Sequence, residues 1–139
     1  MVTPSEADVV VIGGGPAGLA AALAARGNGF DVCVVDRAQP PIDKACGEGL
    51  MPDGVAALRG LGVALGAEQG VPFRGIRFVD ARRVAEASFP EEIGVGIRRT
   101  MLHQILVDHA QAAGVTTCWR VKATGVEPGG VRIGGRLLR

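Results

Sequence analysis

The sequence lacks the features that mark a membrane or exported protein. It has 139 residues and no apolar run of about 18 uncharged residues, so we expect no transmembrane helix. Its first residues, MVTPSEAD, lack a basic segment followed by an apolar core, which argues against a signal peptide. Its three cysteines are odd in number and do not have the spacing of a disulfide framework. These absences predict a cytoplasmic protein.

A strong excess of either charge is also missing. Fifteen Lys and Arg against 14 Asp and Glu give a formal net charge of +1, with both signs interspersed. The sequence therefore predicts no basic surface for nucleic acid and no acidic tail. No Cys or His spacing is typical of a metal site. Neither Ser5 nor Ser88 lies in a nucleophile elbow, so hydrolase chemistry of that type is not expected.

Apolar residues, in contrast, are plentiful for so short a chain. They make up 47% of the sequence, and the mean hydropathy is +0.28. A single domain of this length buries a smaller fraction of its surface than a large one does. We therefore expect part of the apolar surface to contact another portion of a longer protein or a partner chain.

Residues 8–18, DVVVIGGGPAG, are the most informative stretch. A run of Val and Ile predicts a buried parallel strand, and the alanine-rich pattern after it predicts a helix. Gly13, Gly15 and Gly18 form a G-x-G-x-x-G motif, which permits a tight turn, the approach of a phosphate and close helix–strand packing. Pro16 suits the first turn of a helix. The motif predicts a pyrophosphate held by free N–H groups and the helix dipole.

An acidic residue follows at the spacing that a dinucleotide site requires. Residues 31–35, DVCVV, predict a second strand that ends at Asp36. This carboxylate comes 18 residues after Gly18, near the usual spacing of about 20, and can accept hydrogen bonds from ribose hydroxyls. An acid here disfavours the 2′-phosphate of NADP, although Arg37 follows. Together these elements predict an α/β fold with a Rossmann-type βαβ unit.

A glycine-rich loop occupies residues 39–50, QPPIDKACGEGL. The Pro40-Pro41 pair excludes a helix there, and two glycines around an acid predict backbone close to a planar ligand. Cys46 is interpreted as a small residue in a tight loop, with a redox thiol as the alternative. Glu48 is interpreted as a solvated acid or a partner of Lys44, with a ligand-contacting acid as the alternative.

The middle of the chain predicts an inserted antiparallel segment. A helix is expected over residues 51–61, followed by strands over 73–79 and 83–89 that a turn at 80–82 joins, and by a short strand over 94–97.

A second amphipathic helix follows Arg98-Arg99-Thr100. His103 is assigned to a polar position of this helix, with a ligand contact as the alternative. The apolar face is predicted to comprise Leu102, Ile105, Leu106, His109 and Ala113, opposite Gln104, Asp108 and Gln111.

The last quarter of the chain predicts strands. Residues 115–119 are expected to form another parallel strand, ending in a packing role for Trp119. A hairpin is expected around Pro128-Gly129-Gly130, and residues 136–139 begin a further element.

Four segments together carry a family resemblance: VVVIGGGPAGLAAALAARG, VCVVDR, KACGEGLMPDGVAALRGLGV and RRTMLHQILVDHAQAAGV. They resemble the opening of FAD-dependent oxidoreductases of the para-hydroxybenzoate hydroxylase-like superfamily, which includes aromatic hydroxylases, flavin-dependent halogenases and geranylgeranyl reductases. The K-x-C-G-x-G-L-x-P form at residues 44–52 is more similar to the reductases and halogenases. The resemblance identifies residues 1–139 as the N-terminal part of one FAD-binding domain.

The resemblance implies a set of cofactor contacts and no catalytic acid or base. The glycine turn would surround the FAD pyrophosphate, Asp36 would bind the adenosine ribose, and Arg37 would lie beside the adenine. The 44–50 loop would follow the flavin, and a helix-start arginine and one strand backbone would complete the site. The residues concerned are Gly13, Gly15, Pro16, Ala17, Gly18, Asp36, Arg37, Lys44, Cys46, Gly47, Gly49, Leu50, Arg99 and Val121.

The resemblance also implies chemistry on a small-molecule substrate. In such enzymes the flavin takes hydride from NAD(P)H and then activates oxygen or reduces an alkene. The second FAD motif, a Gly-Asp pair, and the substrate-binding sheet are absent before Arg139, so the fold is expected to be truncated, with one edge of the first strand unpaired. Two alternatives are an NAD-binding dehydrogenase domain, which residues 44–52 disfavour, and a non-catalytic module that binds no cofactor.

Overall fold

The structure, a computed structural model, describes residues 4–139. It divides into two compact units, one comprising the chain up to Lys44 with Thr100–Arg139, the other Ala45–Arg99. In chain order the elements are β1 (Val9–Ile12), α1 (Pro16–Gly27), β2 (Val32–Asp36), β3 (Gly49–Leu50), α2 (Pro52–Gly60), β4 (Val71–Phe73), β5 (Gly75–Val79), β6 (Val84–Ser88), β7 (Gly94–Gly96), α3 (Arg99–Ala112), β8 (Thr116–Trp119), β9 (Ala123–Glu127), β10 (Gly130–Ile133) and β11 (Arg136–Leu138).

A three-stranded parallel sheet organises the first unit. Its order is β1-β2-β8, with Val9 opposite Val32 and Val35 opposite Cys118. The central strand is almost fully buried from Val32 to Val35, which explains why its sequence is continuously apolar rather than alternating. This arrangement confirms the predicted βαβ unit and the predicted parallel strand after the second long helix.

Helix α1 packs against this sheet through Leu19, Ala22 and Leu23, which are buried. The helix begins at Pro16, where the missing N–H has no intrahelical partner to lose. Arg26 lies in its last turn, where a cation interacts favourably with the helix dipole. The small side chains of this helix allow the close approach to the sheet that the sequence predicts.

An antiparallel sheet of order β11-β10-β9 packs on the central strand and β8. The shared core contains Cys33, Val35, Cys118, Val131, Ile133 and Leu138. The predicted hairpin is confirmed, with Gly129 in the left-handed region at a φ of 86°. Within residues 4–139, β1 pairs with β2 alone.

The second unit contains the inserted antiparallel segment. One sheet has the order β3-β7-β4, and α2 packs near β7 with Val55 and Leu58 buried. A separate hairpin pairs β5 with β6, and its turn is closed by Asp80, whose Oδ1 accepts the N–H groups of Arg82 at 2.6 Å and Arg83 at 2.8 Å. The fold class predicted from the sequence is therefore confirmed.

Local predictions were wrong in two elements. The single strand expected over 73–79 is broken at Arg74, because β4 pairs with β7 whereas β5 pairs with β6. In α3 the assignment of His103 to a polar surface position was wrong, and of the predicted apolar face only Leu106 is buried. The buried positions of α3 are His103, Leu106, Val107 and Ala110. None of the helices described between residues 4 and 139 combines the length and the hydropathy of a membrane span.

Candidate functional site

The glycine turn between β1 and α1 is set by contacts within the protein. Gly13 has a φ of +107°, a conformation that L side chains rarely adopt. A Cβ at Gly18 would overlap the carbonyl oxygen of Gly13. These two positions therefore require glycine, which gives a physical reason for two of the three motif glycines.

Gly15 lies at the N-cap of α1 and differs from the other two. Its φ of −73° and ψ of 178° are open to any residue, so backbone conformation does not explain the glycine. Among the described residues no side chain caps this helix start, and its first turn contains no acidic residue. The first N–H groups and the positive end of the helix dipole thus remain available to an anion.

Asp36, at the end of β2, binds the glycine turn directly. Its Oδ2 accepts the N–H of Gly14 at 2.8 Å, and its Oδ1 accepts the N–H of Ala38 at 2.7 Å. A carboxylate oxygen has two lone pairs, so each oxygen keeps capacity for one further donor such as a ribose hydroxyl. The two backbone bonds fix the orientation of the carboxylate before any ligand arrives.

A cavity of about 290 Å³ opens beside this carboxylate in the first unit. The backbone N–H of Val121 donates to the carbonyl oxygen of Asp36 at 2.9 Å, which holds the next chain segment against the end of β2. The cavity is lined by Ile12, Gly13, Val35, Asp36, Arg37, Lys44, Val121, Lys122 and Ala123. The structure thus brings together five residues that the sequence selected and four that it did not.

Trp119 and His103 both contact Gly14, which the sequence did not predict. The ring of Trp119 occupies the space of a Cβ at this glycine, which confirms the packing role predicted for the tryptophan. His103 is fully buried, and its Nε2 lies 2.7 Å from the carbonyl oxygen of Gly14. The only sequence signal for the histidine was its position in the Arg-x-x-Leu-His helix start.

Pro16 and Ala17 are the first two residues of α1, and the other predicted site residues belong to the second unit. Glu48 is exposed, as expected for a loop acid, and its carbonyl oxygen accepts the N–H of Ile97 at 2.8 Å. Its Oε1 also accepts the N–H of Arg99 at 3.0 Å, a bond that the sequence did not predict. Glu48 has a φ of 51°, so this strained position is held by two bonds to one segment.

Two features of the second unit suit a bound group. The Nε of Arg99 is buried without a hydrogen-bond partner among the described residues, and such an orphaned donor is costly unless a ligand pairs with it. A Cβ at Gly47 would meet nothing within 4 Å, and its φ is not in the left-handed region, so contacts within the protein do not explain this glycine. Cys46 is an exposed free thiol.

Comparison with known proteins identifies a family model and several relatives that match this chain. A family model described as "FAD binding domain" matches residues 6–137. The chain is 53% identical over 73 residues to menaquinone reductase of Mycolicibacterium smegmatis, covering 52% of this chain and 18% of that protein. It is 42% identical over 83 residues to 6-methylpretetramide 4-monooxygenase of Streptomyces rimosus, covering 59% and 19%.

A solved structure resembles this fold over nearly all its length. The tetrameric form of 2-methyl-3-hydroxypyridine-5-carboxylic acid oxygenase matches with a TM-score of 0.81 at 28% identity, covering 94% of this chain and 36% of that one. The aligned residues span about a fifth of the length of the curated relatives. These matches confirm the predicted similarity to FAD-dependent oxidoreductases.

Proposed function

Because the chain belongs to the FAD binding domain family, we propose that it forms the FAD-binding part of an FAD-dependent oxidoreductase. The observation that carries the proposal is the cavity at the end of β2, where Asp36 bonds to the glycine turn beside the start of α1. A carboxylate and uncapped helix N–H groups recognise the two chemically distinct parts of an adenosine diphosphate group, ribose and pyrophosphate.

The proposed contacts follow the two halves of the cofactor. For the adenosine diphosphate half, the residues of the turn bind pyrophosphate, Asp36 accepts the ribose hydroxyls, and Arg37 and the Val121 backbone face the adenine. For the flavin half, the proposed residues are Lys44, Cys46, Gly47, Gly49, Leu50 and Arg99. When bound, FAD supplies the redox chemistry, with NAD(P)H as reductant, while these residues bind and orient it.

We further propose a reductase acting on a small molecule, with quinones as the first class to test. The support is the identity to a protein named menaquinone reductase, which is higher over its aligned residues than the identity to the monooxygenase. We place the protein in the cytoplasm and assign the remainder of the enzyme to a further portion of a longer protein or to a partner chain. A monooxygenase is the competing activity, distinguished by oxygen consumption coupled to substrate.

Ligand titration of the 139-residue chain tests the cofactor assignment. FAD, FMN, NADH and NADPH are added separately, and binding is followed by flavin fluorescence or calorimetry. We expect FAD to bind most tightly. FMN lacks the adenosine that the Asp36 cavity suits, the 44–52 loop disfavours a nicotinamide cofactor, and the Asp36 carboxylate disfavours the 2′-phosphate of NADPH. A folded protein that binds NADH more tightly than FAD would replace the proposal with a dehydrogenase domain. A folded protein that binds none of the four would support a cofactor-free module.

An Asp36→Asn variant tests the role of the carboxylate. A hydrogen bond to a charged group contributes about 1.5–3 kcal/mol, so its loss corresponds to roughly a 10- to 100-fold weaker FAD affinity. Asp108→Asn is the matched control, because Asp108 is an exposed acid that bonds only to Gln104 among the described residues. Equal FAD affinity in the two variants would show that Asp36 does not bind the ribose.

A further inference from the structure

The two peptide groups that flank Gly14 are each held by a side chain. In the Gly13–Gly14 peptide, the N–H of Gly14 donates to Asp36 Oδ2 at 2.8 Å. Its carbonyl oxygen lies 2.7 Å from the Nε2 of His103, and the Trp119 ring fills the position of a side chain. Side chains of β2, α3 and β8 therefore hold this glycine, and His103 of α3 is the one that bonds to the Gly14–Gly15 peptide.

The bonds of His103 define its tautomer. A carbonyl oxygen only accepts, so Nε2 must carry the proton that it donates to Gly14. The N–H of Ile42 donates to Nδ1 at 3.2 Å, so Nδ1 must be unprotonated. The ring is fully buried, and its centroid lies 6.2 Å from that of Trp119 at an interplanar angle of 63°. His103 is thus a neutral group with both nitrogens used.

The direction of one neighbouring N–H follows from these bonds. In a trans peptide the C=O and the next N–H point in opposite directions. Because the Gly14 carbonyl points at His103, the Gly15 N–H points away from it, and no acceptor among residues 4–139 bonds to it. Pro16 has no N–H to offer, so Gly15 is the donor immediately before the helix.

We propose that His103 is a positioning residue that holds the Gly14–Gly15 peptide so that the Gly15 N–H is presented to the cofactor pyrophosphate. The inference rests on the proposed FAD function. If His103 only stabilised the core, its hydrogen bond to Gly14 would not affect the affinity for a diphosphate. A positioning role predicts that it does.

Two substitutions separate the positioning role from the structural one. His103→Gln places an amide nitrogen near Nε2 and keeps the donor to Gly14 while losing the bond from Ile42. His103→Asn keeps an acceptor near Nδ1 and loses the bond to Gly14. Each removes one buried hydrogen bond, so we expect the thermal midpoint to fall by several degrees in both. His109→Gln and His109→Asn are matched controls on the same helix, since His109 is only half-buried.

The affinity for FAD is the deciding measurement. We expect His103→Gln to bind FAD within about threefold of the unsubstituted chain and His103→Asn to bind about tenfold more weakly, the equivalent of one hydrogen bond. Equal affinities in the two variants would overturn the positioning role while leaving FAD binding intact. Failure of the unsubstituted chain to bind FAD would instead overturn the proposed function and this inference with it.

A second measurement applies if His103→Asn does not fold. In the ¹⁵N-labelled chain, addition of ADP should shift the Gly15 amide resonance, and the ring nitrogen shifts should report the Nε2–H tautomer. An unshifted Gly15 resonance in the presence of bound ADP would overturn the proposal.

Discussion

The contact between Gly14 and Trp119 gives the sharpest prediction about this fold. A Cβ built at Gly14 lies 2.5 Å from the ring carbon Cη2 and closer still to Cζ3, whereas ordinary contacts begin at about 3.4 Å. Gly14 does not have a φ in the left-handed region, so the collision with Trp119 is the identified cost of an alanine there. The ring must retreat by about 1 Å, which makes Gly14→Ala an overpacking substitution.

The expected loss of stability follows from measurements on other overpacked sites. Inserting one methyl group into a well-packed site costs about 1–3 kcal/mol, so Gly14→Ala should lower the free energy of unfolding by that amount. Trp119→Leu removes the ring atoms that collide. In that background we expect Gly14→Ala to cost less than about 0.5 kcal/mol, which leaves a coupling energy of about 1–2 kcal/mol in the double-mutant cycle.

Urea unfolding of the cofactor-free chain, followed by far-ultraviolet circular dichroism, measures the four corners of the cycle. Fluorescence is unsuitable because Trp119 is the only tryptophan. Gly27→Ala is the control, since a Cβ there meets nothing within 4 Å, and it should be neutral or slightly stabilising. If Gly14→Ala lowers the free energy of unfolding equally with tryptophan and with leucine at position 119, the two costs are additive. That result would refute the predicted contact between the two residues.

Three further predictions concern ligand contact and the cysteines. Gly47→Ala should change the free energy of unfolding, measured in urea, by less than about 0.5 kcal/mol. It should weaken FAD binding, measured by titration. An unchanged FAD affinity would contradict a flavin contact at Gly47. In the native chain an aromatic disulfide reagent should modify Cys46 quickly, because Cys46 is exposed. Cys33 and Cys118 are buried and should react only when the chain unfolds. Equal rates of modification at all three cysteines would contradict this burial. Burial, followed by the neighbouring Cys118 thiol, raises the pKa of Cys33 from 9.0 to about 12. The native state therefore keeps a proton that the unfolded chain loses, so the free energy of unfolding should fall as the pH rises from about 9 to about 12. Cys33→Ala should flatten this decline, and an unchanged slope in urea titrations at several pH values contradicts it.

Much of the nucleotide-binding unit could be predicted from the sequence because its signals are local. The strand ending at Ile12, the turn at Gly13, the helix beginning at Pro16 and the strand ending at Asp36 each follow from residues within a few positions. The spacing of apolar residues and the backbone preferences of Gly and Pro are read over a few consecutive positions. The same is true of the hairpin turn that contains Asp80, and of the family resemblance that predicted FAD.

Only the tertiary structure shows which residues contact the glycine turn. Periodicity assigned His103 to a polar surface, since a pattern of apolar spacing records hydrophobicity and not the partners of a polar side chain. His103 is buried because Ile42, 61 positions away, and Gly14, 89 positions away, satisfy its two ring nitrogens. Those partners do not appear in any local pattern. The sequence by itself determined that a dinucleotide turn is present, and folding decided which residues hold it, because buried hydrogen bonds are specified by groups that only the assembled fold brings together.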